Sequence, residues 1–269
     1  MKSQSMTMTN ANFKKTDYSQ IADQYDQNDT RHQIPKDPHL ETHLESWLAS
    51  QKDEAFCVLD LACGTGNWLK VQTHHFKTSS IHWHGLDASA DMLQYARPKS
   101  PQVSWVQGTA DLLPYDDQSF NFITNNFAFH HFPDKKQSLR ELKRVLKTNG
   151  LLKIWNISPH HMKEMWVYHF FPNTWWEDMK RFWDPALFFY ELESLGFIVS
   201  STIEIKRSRM HLSKILNEAE NRDISELTLI SEDEYQQGLE RIKAELKHNP
   251  DASFIHDLAL ETHICKITK

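Results

Sequence analysis

Asp60 closes a short apolar run, AFCVLDL, and is followed within six residues by Ala62, Gly64 and Gly66 in the stretch VLDLACGTGNWL. An acid at a strand end, a turn with two glycines and a new helix together make a binding device. Glycines let a ligand come close to the backbone, and the first turn of a helix presents unpaired amide groups. A second acid, Asp87, ends the run IHWHGLD and lies 21 residues after Gly66. A carboxylate there can accept the hydroxyls of a ribose, as in nucleotide-binding sheets. It can equally cap a helix that starts near Ala88. His130 and His131, in FAFHHF, follow another strand pattern. Either histidine could serve as a general base, or the pair could pack under a covering segment or cap the next helix.

The turn discriminates between two kinds of ligand. A dinucleotide carries a diphosphate and favours G-x-G-x-x-G directly after the strand. Here the third glycine position is Leu69, and Asp60 would set a negative charge beside the diphosphate. S-adenosylmethionine has no phosphate but carries an ammonium and a sulfonium, which suit an acidic strand end. The charge logic favours that cofactor over a nicotinamide dinucleotide. An acid at position 87 serves either one.

These residues need a scaffold that brings strand ends together. Short apolar runs at 55–61, 81–86, 103–107, 120–125 and 151–157 read as strands. Helical patterns fall between them at 67–76, 90–96 and 135–146, the last with Leu139, Leu142, Val145 and Leu146 on one face and Asn149-Gly150 as its stop. Alternation of this kind predicts a parallel sheet covered on both faces, with ligands at the carboxyl ends of its strands. Residues 16–50 read as helical with a break near Pro35 and Pro38, and 182–196 as a helix with a glycine stop. Residues 197–205 read as a strand, 208–248 as charged helix with a capping box at Ser231 and Glu234, and 262–268 as a final strand.

In order, the segments YSQIADQYD, VLDLACGTGNWL, GLDASADMLQYA, VQGTADLLPYDDQSFNFI, FAFHHF and LKRVLKTNGLLKI, within residues 18–157, make the chain similar to the class I S-adenosylmethionine-dependent methyltransferases, in the group that includes the ubiquinone and menaquinone C-methyltransferases. The resemblance implies an α/β, Rossmann-like, seven-stranded, mostly parallel sheet with an antiparallel last strand and helices on both faces. It implies S-adenosyl-L-methionine as cofactor and transfer of its methyl group to a small molecule. Asp60, Cys63, Gly64 and Gly66 would border the methionine end. Asp87 would hold the ribose, and Ala88 and Met92 would flank the adenine. Thr109, Ala110 and Asp111 would border the adenine edge, with Asn125 near the end of the fourth strand and Tyr25 closing over the site. Ala62 stands where the family usually has its first glycine, Thr109 where Asp is frequent, and Asn149 where proline is frequent.

Between positions 155 and 190, 12 of 36 residues are Phe, Trp or Tyr, which sets this segment apart as an aromatic helical lid inserted after strand five. Phe171, Trp175, Trp176 and Trp183 could line an apolar or cation-binding acceptor pocket, or form the lid's own core or a dimer contact. The expected organisation is a mobile stretch 1–15 and one domain 16–269, with lid 158–190 and a helical insertion 207–260 before the last strand. Sixteen histidines include the adjacent pairs at 74–75, 130–131 and 160–161, whose side chains diverge on regular structure, so no metal site is expected. A net charge of -6 argues against nucleic acid as partner. No apolar run is long enough to span a bilayer, and MKSQSMTMTN lacks a signal-peptide core. Three cysteines without pairing motifs suit the cytoplasm. The chain is expected to act as a monomer or homodimer on an aromatic or apolar small-molecule acceptor. A cofactor-binding regulatory protein without turnover is the alternative that the same motifs allow.

Overall fold

Asp37 turns the chain into a helix. Its carboxylate accepts from the backbone amides of His39 (3.0 Å) and Leu40 (3.2 Å), Pro38 takes a position whose missing amide costs nothing, and α1 runs Pro38–Ala49. Leu40, Leu44 and Trp47 fall on one face and are buried. The computed structural model describes residues 34–50, 54–78, 80–162, 164–222 and 224–267. The expectations for residues 1–15, for the helical start after residue 16 and for Tyr25 lie outside the described residues.

Seven strands follow: β1 (Phe56–Leu61), β2 (Ile81–Asp87), β3 (Ser104–Gln107), β4 (Phe120–Asn126), β5 (Leu146–Ile157), β6 (Ile198–His211) and β7 (Ser253–Lys266). They form one sheet in the order β3-β2-β1-β4-β5-β7-β6. The first five are parallel, and β7 is antiparallel to both β5 and β6. Helices α2 (Asn67–His75) and α3 (Ala90–Lys99) join α1 over one face, packing on Val58, Phe122 and Leu151. Helices α4 (Lys135–Val145) and α7 (Pro185–Ser194) cover the other, on Leu59, Ile123, Leu152 and Ile154. Each of those fully buried aliphatic side chains contributes roughly 1.5–3 kcal/mol of burial. This is the expected doubly covered sheet. Its strand order reverses between β1 and β4, so a crevice opens at their carboxyl ends. Among the described residues, no helix is long and apolar enough to cross a membrane.

Three stretches depart from the sequence reading. Helix α4 ends at Val145, and Leu146 already pairs with Phe120, so the Asn149-Gly150 turn sits inside β5 as an irregularity, with Asn149 at φ 64°. The Asn-Gly pair marks a turn correctly, but the open edge of β4 captures the residues before it. The segment 207–260, expected to be a helical insertion, is helical only in its middle. Its ends extend β6 and β7 to 14 residues each, joined by a bidentate ion pair from Arg207 to Asp257 (2.7 and 3.0 Å). Charges on this edge strand face solvent, so they look like a solvated helix in sequence. The helix expected from residue 182 begins at Pro185, where the Asp184 carboxylate caps it.

The aromatic segment also divides. Helices α5 (Trp166–Phe170), α6 (Asn173–Arg181), α8 (Leu212–Glu220) and α9 (Glu232–His248) follow the sheet's second half, and α9 starts with the expected capping box at Ser231 and Glu234. Trp166, Phe170 and Phe171 are buried with α8 and α9 in a core of their own. A Cβ added at Gly238 would lie 2.1 Å from Cε1 of Phe171, which explains a glycine in the middle of a polar helix. Trp183 instead packs on the sheet core beside Phe129 and Phe188, and Trp176 is 60% exposed. The four rings expected to share an acceptor pocket therefore do not form one wall.

Candidate active site

The loop after β1 carries three left-handed residues, Ala62 (φ 57°), Gly64 (φ 53°) and Gly66 (φ 77°). It is pinned to the end of β2, because the Cys63 amide donates to the Leu86 carbonyl (3.0 Å) and the Gly64 amide to Asp87 Oδ2 (2.8 Å). Gly66 begins α2. A Cβ on it would lie 2.6 Å from Cη2 of Trp105 and 3.0 Å from Cβ of Ala96. Its requirement is close helix-to-sheet packing as much as backbone freedom. Gly66→Ala is expected to lower stability by about 2–3 kcal/mol, summing the left-handed penalty and the overpacking. A urea midpoint unchanged from wild type would contradict this.

A cavity of 280 Å³ opens against this loop. Ala62, Gly64, Asp87, Ala88, Met92, Thr109, Ala110 and His131 all line it, so eight of the residues expected to surround a ligand do meet around one space. Asp60, 2% exposed near the end of β1, does not line it. Cys63, Gly66, Asp111 and His130 do not line the cavity, and Cys63 is buried behind it. Asn125 is a correction of strand phase. Asp60 pairs in register with Thr124, so Thr124 and Asn126 share its side of the sheet, and Asn125 points to the other, where its amide donates to the Leu61 carbonyl (2.9 Å). Asn126 is the wall residue, together with Phe127, Ala128 and Phe132, none of which the sequence reading singled out. Phe127 holds φ 54°, uncommon for a bulky residue, and its ring lies 4.4 Å from that of Trp155.

Burial and the charge of Asp87 raise the Asp60 carboxyl well above the usual range, and burial raises Asp87 too. Among the described residues no lysine or arginine is paired with Asp60; Lys153, which draws it down, is bound to Asp37 at 2.6 Å. A desolvated carboxylate on the cavity wall, Asp87, with a second, Asp60, buried at the neighbouring strand end makes surroundings that favour a cation. Burial also raises the Cys63 thiol well above its ordinary value, with Asp60 and Asp87 adding to the effect, so it is a neutral, inert group. Asp87 Oδ1 accepts from the Ser89 amide (2.9 Å), and Ser89 itself caps α3, so Asp87 is not the helix cap.

The two histidines separate. His130 is buried away from the cavity, its Nδ1 3.1 Å from the Asn156 amide nitrogen and its ring stacked 4.1 Å from that of Phe182. This placement gives no support to a general-base role for His130, whose ring meets Asn156 and Phe182 and not the cavity. His131 does line the cavity, but burial, Arg181 and Lys135 push it down to about 3. At neutral pH it offers an uncharged imidazole and is a weak base. Both histidines fold as neutral groups that the unfolded chain protonates below about 6.5. Their contribution is thus full above that pH and is lost progressively as pH falls below it. Between pH 7.5 and 5.0, His131→Gln is expected to reduce the fall in unfolding free energy by about 1–2 kcal/mol. Parallel urea curves for variant and wild type across that range would refute it.

With this geometry in view, known proteins add the following. Residues 58–150 match the family model described as a methyltransferase domain. The demethylmenaquinone methyltransferase of Thermotoga maritima is 38% identical over 120 residues, 44% of this chain and 52% of that protein. That of Listeria welshimeri is 34% identical over 119 residues, 42% and 50%. The chain spans about half the length of these relatives. Among solved structures, a putative methyltransferase from an antibiotic biosynthesis pathway of Anabaena variabilis aligns with a TM-score of 0.63 at 18% identity, covering 86% of this chain and 98% of that one. A phosphoethanolamine N-methyltransferase 2 of Haemonchus contortus in complex with S-adenosyl-L-methionine aligns with a TM-score of 0.53 at 16% identity, covering 94% and 60%. Residues 58–150 thus match a methyltransferase domain, and the chain shares its fold with solved methyltransferases.

Proposed function

We propose that this chain transfers the methyl group of S-adenosylmethionine to a small-molecule acceptor in the cytoplasm. The observation that carries the reading is Asp87 on the cavity wall beside the left-handed loop 62–66, with Asp60 desolvated at the neighbouring strand end. When bound, the cofactor supplies an electrophilic methyl group, so the protein needs only to position and desolvate the acceptor. Asp60 and the loop 62–66 would hold the cationic methionine end. Asp87 would accept from the ribose with the lone pairs that the Gly64 and Ser89 amides leave open. Ala88 and Met92 would flank the adenine, and Thr109 and Ala110 would edge it. Phe127, backed by Trp155, offers an aromatic face to the acceptor. That face now carries the expectation of a flat or apolar acceptor, in place of the dispersed lid rings.

The quinone acceptors named for the sequence relatives are one option within this reading. No charged base is required at His131. The free thiols of Cys57, Cys63 and Cys265 suit a reducing compartment. Calorimetry with S-adenosylmethionine and S-adenosylhomocysteine, followed by release of S-adenosylhomocysteine over a metabolite panel, tests the proposal. Micromolar binding with turnover on one class of acceptor is the expected result. Binding with no turnover on any acceptor would favour the regulatory alternative, and no binding would end both.

A further inference from the structure

Strand β6 ends the sheet on one side, with β7 as its neighbour. Its register with β7 runs unbroken from Ile198 to His211, without a bulge. The strand reads IVSSTIEIKRSRMH and contains neither proline nor glycine. Among the described residues, no backbone hydrogen bond reaches its outer side. Alternate amide and carbonyl groups along its 14 residues therefore face outward unpaired.

Long edges are normally broken by proline, by a bulge or by outward charges. The first two are missing here, and the arginines do not guard the edge. Arg207 is drawn back to Asp257 (2.7 and 3.0 Å) and Arg209 to Ser253 (3.1 Å), both on β7. Ile203 and Ile205 share the face of these arginines and are 41% and 55% exposed. Glu204 and Lys206 share the opposite face, both exposed, with Nζ 3.5 Å from Oε1.

This order of charges selects an occupant. A second copy of β6, laid antiparallel about a two-fold axis through the sheet, must set one residue opposite itself. An axis at Glu204 opposes two glutamates, one at Lys206 two lysines, and one at Arg207 two arginines, each a destabilising pair. An axis at Ile205 opposes Ile205 to itself and Glu204 to Lys206, twice over. Ile203 then meets the apolar stem of Arg207, Thr202 meets Ser208 and Ser201 meets Arg209, so no like charges face each other.

We propose that β6 pairs with β6 of a second copy, antiparallel about a two-fold axis at Ile205, joining the two sheets into one. The pairing fills the open ladder and covers the exposed isoleucines. β6 contributes no residue to the cavity, so both copies keep their sites open. The inference stands apart from the methyltransferase reading.

Sedimentation velocity of the full chain over a wide concentration range tests it. Wild type is expected to dimerise with micromolar affinity. Glu204→Lys and Lys206→Glu each set like charges across the axis and should weaken the dimer by at least about tenfold. An equimolar mixture of the two variants sets two cations against two anions and should restore it. Both side chains are exposed, so neither change threatens the fold. Ile205→Cys should cross-link to itself under mild oxidation, because directly opposed strand residues lie within disulfide reach, whereas Ile203→Cys should not. A chain that stays monomeric at every concentration overturns the proposal and leaves the edge to a strand of another protein. Dimers that the single variants leave unchanged overturn it as well, since their contact then lies on another face.

Discussion

Lys153→Met is expected to cost this protein about 3–5 kcal/mol, the penalty for leaving a buried ion without its partner. The Lys153 and Asp37 side chains are 10% and 1% exposed, and their 2.6 Å pair bridges 116 positions of sequence. It ties the cap of α1 to the middle of β5. In the variant, Asp37 would keep its helix-capping bonds to His39 and Leu40 but lose the cation that neutralises it. A thermal midpoint about 10 °C lower follows for a domain of this size. Adding Asp37→Asn should return more than half of the loss, because the amide still caps α1 and no lone charge stays buried. A single variant as stable as wild type, or a double variant no better than the single one, would show that the pair is not the fastener. The effect also reaches the cofactor side. Lys153 pairs in register with Thr124, and Thr124 with Asp60, so its charge is one strand removed from that carboxylate. Without it Asp60 is raised further and is a poorer counter-ion for a sulfonium.

Such couplings mark the limit of what the residues declare in order. The segment from Asp60 to Asn67 is contiguous, and strand, left-handed turn and helix start are each written in local residue types. Asp87 follows because it ends the neighbouring strand. The wall residue on β4 was not legible, because apolar residues on both faces of a central parallel strand erase the alternation that fixes its phase. Asn125 and Asn126 differ in sequence by nothing except position. The histidines show the same limit: His130 and His131 are equivalent as letters, but a short turn sends one to Asn156 and the other to the cavity. The burial of Arg181 was invisible for a different reason. A charge in a helix reads as solvated, and only the packing of α6 against the segments around Tyr168 and Glu226 removes the water. The edge ribbon of β6 and β7 misled in the opposite direction, since charges at exposed strand positions imitate a helical surface.

Asp87→Ala should weaken S-adenosylhomocysteine binding by at least about tenfold, corresponding to roughly 1.4 kcal/mol. A charge-assisted hydrogen bond to a ribose hydroxyl contributes about 1.5–3 kcal/mol. The carboxylate has a second employment, however, since it also holds the Gly64 and Ser89 amides at 2.8 and 2.9 Å. Loss of affinity alone would not separate ribose contact from loop anchoring. Adenosine makes the separation, because it presents the ribose without the methionine end that the loop faces. If Asp87 accepts from the ribose, adenosine and S-adenosylhomocysteine should lose affinity by similar factors. If it only pins the loop, S-adenosylhomocysteine should weaken while adenosine binds as before. Asp87→Asn refines the comparison: it keeps one acceptor for the Gly64 amide but gives up the charge. Stability near wild type with affinity still reduced would assign the carboxylate to the ligand. A destabilised Asp87→Ala protein that loses affinity for S-adenosylhomocysteine and keeps it for adenosine would assign it to the loop alone.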